Sequence, residues 1–129
     1  MYKIEKADYG FRITASGDMD LFESERLTLD LLDTLSAHDR QFSLLIDIRR
    51  LTPFAPEVLP NILKTHVMCK RMSMRRAAII IDSPELRSQG KYISSSVKSA
   101  SGDRFIVASE VENWEKKALD WVMNSIEPN

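Results

Sequence analysis

Two short segments, "FSLLIDI" at 42–48 and "AAIIID" at 77–82, constrain this chain more than anything else in it. Each is almost wholly apolar and bounded by polar residues. A strand with one face against a core alternates apolar and polar side chains, so a continuous short apolar run fits a central strand covered on both faces. Between the two segments, Val58, Leu59, Ile62, Leu63, His66, Val67 and Lys70 recur at helical spacing and end near Arg71 to Ser73. Strand, helix and strand in this order form a crossover unit whose strands run parallel.

The rest of the chain extends that unit in both directions. Residues 2–7 and 11–16, joined by Asp8-Tyr9-Gly10, alternate as a hairpin with one buried face. Asp20 followed by Glu23 starts a helix predicted over 20–38, with Leu27, Leu31, Leu32 and Leu35 on one stripe. Ser83 before Pro84 places a cap ahead of a proline at the first helical position. The helix that follows, 84–100, has one thin stripe of Leu86, Ile93, Val97 and Ala100, weakened by Gly90 and by serines at 88, 94, 95, 96, 99 and 101. "RFIVA" at 104–108 is a last strand, and Val111, Trp114, Ala118, Trp121 and Val122 set a final helix to about Ile126. The expected fold is one α/β domain over 1–129, ordered ββαβαβαβα. It has a mainly parallel five-stranded sheet, an antiparallel first strand and four helices.

A chain of 129 residues buries a core without needing a metal or disulfide. Cys69 is its one cysteine, no stretch resembles a signal peptide and no apolar run reaches membrane-spanning length. These features predict a soluble cytoplasmic protein with no integral membrane association. The net charge of −1 hides an uneven distribution: residues 49–76 hold seven Lys or Arg against Glu57 alone, while 1–48 hold five against ten acidic residues. The basic segment is either a solvated helix face or a docking patch for an anion. Its single aromatic ring, Phe54, gives nucleic-acid bases little to stack on, so no nucleic-acid partner is expected. Met68, Met72 and Met74 beside Lys70, Arg71, Arg75 and Arg76 could instead meet lipid headgroups.

Ligands of open α/β sheets usually bind at the carboxyl ends of the strands. Here those ends offer Gly17-Asp18, Asp47 with Arg49 and Arg50, Asp82-Ser83 and Ala108-Ser109. Three aspartates could hold a hard cation, but Asp18 and Asp82 adjoin helix starts, where a carboxylate caps exposed amides. His66 and Cys69 share a helix face, yet nothing nearby in sequence orients them for nucleophilic chemistry, and two ligands are too few for zinc. His38, at a helix end, is expected to cap carbonyls. No phosphate-binding glycine loop and no nucleophile elbow occurs. No catalytic residue, metal or cofactor is expected.

"YGFRITASGDMD", a strand ending in Ser-Gly-acidic-x-Asp before an amphipathic helix, then "LLIDIRRLT" and, at the close, "FIVASEVENWEKKALDWV" give the chain a family likeness. It resembles the STAS domain, the fold of sulfate transporters and anti-sigma-factor antagonists, and most nearly its SpoIIAA-like bacterial branch. In phosphorylated members an Asp-Ser pair followed by Gly-Leu sits where the central strand turns into its helix, and phosphorylation of that serine switches partner binding. The resemblance lays Ala55 and Pro56 on the Asp-Ser pair and Val58-Leu59 on the Gly-Leu, with Thr52 off the matching position. It therefore implies a non-enzymatic regulatory or interaction module without the phosphoswitch. The surface of Asp47, Arg49, Arg50, Thr52, Phe54 and Ser83 would take a protein partner or regulatory ligand, and a homodimer is possible. The alternative rests on the likeness of this branch to lipid-binding CRAL-TRIO domains: a carrier or sensor of a small apolar or anionic lipid, with the serine-rich helix as a mobile cover.

Overall fold

The computed structural model of the protein describes residues 1–96 and 102–128, so Val97, Ser99, Ala100 and Ser101 of the expected serine-rich helix lie outside the described residues. The elements are β1 (Tyr2–Ala7), β2 (Gly10–Gly17), α1 (Leu21–Ser36), β3 (Phe42–Leu51), α2 (Leu59–Arg71), β4 (Met74–Ile81), α3 (Pro84–Ser95), β5 (Asp103–Val107) and α4 (Trp114–Asn124). They form one five-stranded sheet in the order β1-β2-β3-β4-β5, antiparallel between β1 and β2 and parallel elsewhere. The expected order and sheet are thus observed.

The strand order explains where the helices lie. From β2 to β5 the chain steps in one direction across the sheet, and right-handed crossovers then put every connecting helix on the same face. Buried residues of α1, α2 and α3 accordingly share one core with Phe11, Ile13, Leu44, Ile79 and Ile81. Helix α4 has no strand after it and covers the other face, where Ala118, Trp121 and Val122 meet Leu45, Ala78, Ile80 and Ile106. Both faces of β3 and β4 are covered, as their continuous apolar sequences require.

Local signals mark most boundaries. Asp20 caps α1 by accepting from Glu23 N at 2.8 Å, and Ser83 caps α3 by accepting from Leu86 N at 3.3 Å. Gly10 closes the hairpin at φ +143°, where any Cβ would lie 2.2 Å from the Ser43 carbonyl oxygen. His38 differs from expectation: its ring stands edge-on to Phe11 and Phe42, at 5.3 and 6.1 Å, and extends the aromatic core. Helix α4 also starts later than expected, after Asn113 in the left-handed region.

Strand β3 runs three residues beyond the expected end at Ile48 because it contains a bulge. Thr14 pairs with Asp47 but Ser16 pairs with Arg50, so β3 holds one extra residue. The Asp47 carboxylate secures this bulge, accepting from Arg49 N at 3.2 Å and from Arg49 Nε and Nη2, both at 2.9 Å. One inserted residue reverses the alternation of side chains. Leu51, which strict alternation would send toward α4, is instead buried on the side of Leu44, Ile46 and Ile48, beneath the three-helix layer.

Candidate functional site

The three-helix layer does not close completely on the sheet. Between them lies a cavity of about 130 Å³. Ile46 and Ile48 of the central strand form part of its floor and retain accessible surface. Ile62 from α2, Leu86 and Ile93 from α3, and Phe54 from the segment after β3 line its sides and roof. The lining is almost wholly apolar. Gly90 brings α3 close to β5 at this cavity: a Cβ there would stand 2.6 Å from the Phe105 ring.

Helix α3 is fastened over the cavity at two points. Gln89 grips the backbone of Phe54, accepting from its N–H at 2.9 Å and donating to its carbonyl at 2.8 Å. Ser94 Oγ donates to Asp103 Oδ2 at 2.8 Å. Asp103, the first residue of β5, also binds His66 Nε2 at 2.8 Å and lies 3.1 Å from Lys70 Nζ. His66 and Lys70 are one turn apart on α2, so a single carboxylate ties α2, α3 and the sheet together. Its side chain is 1% exposed. Burial alone would raise this carboxyl, but hydrogen bonds from His66 and Ser94 and the charges of His66 and Lys70 hold it below the ordinary carboxylate range.

His66 and Ser94 belong both to this cluster and to the cavity wall. The orienting group that the sequence near His66 lacks is therefore supplied from β5. Ser94 and His66 each bond to Asp103 and not to one another, which leaves the hydroxyl without the base contact of a nucleophile. Burial pushes the Cys69 thiol up to about 12, against the opposing charge of Lys70, so that thiol stays protonated. A pair of residues four apart with polar heads on an otherwise apolar helix face is the trace that His66 and Lys70 leave in the sequence. Asp103 leaves none.

The candidate residues around the end of β3 are divided between locations. Asp47 and Arg49 lie on the α4 face, where Arg49 stacks 4.3 Å from the Trp114 ring centroid and Arg12 stands 3.6 Å from Asp47. Burial opposes ionisation of Asp47, but the hydrogen bonds from Arg49 and the charges of Arg49 and Arg12 outweigh it and lower its pKa. Arg50 and Thr52 are exposed; Thr52 N continues the β2–β3 pairing by donating to Gly17 O at 2.9 Å. Ser83 is engaged as the α3 cap, and Phe54 alone of the six reaches the cavity.

The basic segment is dispersed in the same way. Arg76 donates to Val122 O on the α4 face, Lys70 is buried against Asp103 on the other, and Lys64, Arg71 and Arg75 are exposed. Asp82 accepts from Ser109 N at 2.8 Å and fastens the loop after β5, while Asp18 is exposed. Ligand crevices at strand carboxyl ends arise where neighbouring crossovers lie on opposite faces. Crossovers that all lie on one face create no such point, and a partly open apolar space forms under the helices instead.

No family model and no curated protein matches the chain. A crystal structure of an uncharacterised protein of the DUF3478 family from Shewanella loihica PV-4, which has a SpoIIAA-like fold, is similar to it. That likeness covers 95% of this chain and 92% of the other at 20% identity, with a TM-score of 0.66.

Proposed function

From the premise of a SpoIIAA-like fold, the architecture of STAS-type modules, we propose that this protein is a non-enzymatic binding module. It carries or senses a small, mainly apolar ligand in the cavity beneath α3. One observation carries the reading: an apolar space of about 130 Å³, partly open to solvent, between the sheet and the three-helix layer. Empty apolar space is destabilising, because its lining forfeits dispersion contacts and water gains nothing by entering. A space of this size matches roughly a benzene-sized body, since an engineered cavity of about 150 Å³ takes up benzene. Occupancy would bear on Leu86 and Ile93 of α3, and so on the helix that presents Tyr92 to solvent.

Native mass spectrometry of the gently purified protein tests this. A small co-purifying mass is expected, and it should be lost in an Ala15→Leu variant that fills the cavity. An apo mass, together with methyl NMR signals that do not move under saturating benzene, would overturn the reading.

A protein partner is the second reading, and a separate observation favours it. Phe22 and Leu29, one heptad apart on α1, are 71% and 61% exposed. Phe22 borders a groove lined by Asp18, Pro53, Ala55 and Glu57, next to the segment where related domains carry their switch serine. If a homodimer uses this patch, sedimentation will show a concentration-dependent mass that Phe22→Glu abolishes; a monomer at every concentration removes the homodimer.

A further inference from the structure

The cavity wall is mainly apolar; its polar side chains are Thr65, whose hydroxyl donates to Asn61 O, and His66 and Ser94, which meet the buried Asp103. The hydrogen-bond directions in that cluster are fixed by elimination. Lys70 is a pure donor, and its ion pair keeps Asp103 ionised, so Asp103 is a pure acceptor. Both groups bonded to Oδ2 must therefore donate: Ser94 gives its hydroxyl hydrogen, and His66 gives the hydrogen on Nε2. When His66 is neutral it has one N–H; with that hydrogen committed to Asp103, Nδ1 is a lone-pair acceptor. Among the described residues no group donates to Nδ1, and Ser94 Oγ likewise has acceptor capacity left.

We infer that the ligand is a small apolar molecule carrying one O–H donor, an alcohol, phenol or carboxylic acid, which hydrogen-bonds at the His66 and Ser94 end of the cavity. This rests on the cavity reading and specifies it. The apolar body fills the space along Ile46, Ile48 and Ile62, and the O–H donates to the open acceptors of His66 and Ser94. The buried Lys70–Asp103 pair does not touch the ligand. It fixes the tautomer of His66, as a carboxylate orients the far nitrogen of an imidazole in many sites.

Phenol and toluene, nearly equal in shape, separate the two levels of this proposal. In a cavity with no polar partner phenol loses to toluene, because its hydroxyl is desolvated without compensation. Titrations of the intact protein followed by NMR should find phenol bound at least as tightly as toluene, and the His66 Nδ1 resonance should move when phenol is added. His66→Phe keeps the ring and removes the acceptor; it should weaken phenol about tenfold or more while changing toluene little. Ser94→Ala should weaken phenol less. Phenol bound more weakly than toluene by the native protein, or a Nδ1 resonance that stays fixed, overturns the inference and leaves an apolar cavity standing. Failure of both compounds to bind overturns the cavity reading with it.

Discussion

The two faces of the sheet are built from the same strands and solve their packing differently. On the α4 face a single helix presses Trp121 against the sheet. The indole is 5% exposed and its N–H donates to the carbonyls of both Ala77 and Gly102, at 3.2 and 3.1 Å. Ala78 and Ala118 opposite it are small and fully buried, so the helix approaches closely. On the other face three helices must be accommodated at once. The seam between α1 and α2 is polar: Asn61 Nδ2 donates to Ser24 Oγ and Thr28 Oγ1, and Thr28 meets Thr65 at 2.7 Å. Helix α3 is fastened by Gln89 at its middle and by Ser94 near its C-terminal end. A lone helix can optimise its fit to a twisted sheet, whereas three linked helices share a compromise that leaves space between them.

The contrast predicts graded responses. Trp121→Ala should have the largest effect, about 3–5 kcal/mol of stability in urea denaturation, because it opens the buried core of the α4 face. A loss under about 1 kcal/mol would show that this face is not the tighter of the two.

Asp103→Leu should cost about 3 kcal/mol, since it strands the buried ammonium of Lys70. Its pH signature follows from the lowered carboxyl. The stabilisation is complete above the ordinary value of 3.8 and is lost as pH falls through the lower folded value. The acid limb of the stability curve should therefore be shallower in Asp103→Leu than in the native protein. An unchanged limb would mean that other carboxyls govern it.

Adding the same atoms to one strand residue on each face gives the sharpest comparison. Ala78→Val, in the filled α4 core, should destabilise by about 1–3 kcal/mol. Ala15→Val, which points its extra methyl groups at the cavity wall, should stabilise by about 0.5–1 kcal/mol. Two losses of equal size would remove the distinction between the faces. Gln89→Ala should cost about 1 kcal/mol. Hydrogen exchange should place it in local opening of α3 and leave α4 protected. Faster exchange throughout the domain would instead make the Gln89 contact part of the global fold.

Element types were legible because each rests on local chemistry. The runs at 42–48 and 77–82 declared buried strands, Asp20 and Ser83 declared helix starts, and the stripes of α1 and α4 declared which faces they bury, except that Leu32, expected on the α1 stripe, lies at its edge and is 39% exposed. The bulge at Asp47 was not legible. "IDIRRL" reads as a strand ending in charge, and only the pairing with β2 reveals that the strand continues with reversed parity. His66 could be judged only by its sequence neighbours, while its orienting carboxylate is 37 residues away.

By itself the sequence determined a β-hairpin followed by three strand–helix crossovers and a last helix. Apolar periodicity, caps and turn residues act over a few residues and are written where they act. Tertiary structure alone decided that three helices share one face, that a space remains beneath them, and that His66, Lys70, Ser94 and Asp103 meet at its edge. Those outcomes depend on the handedness of crossovers and on how unequal side chains fill a common layer. Both are properties of the assembled sheet that no single segment carries.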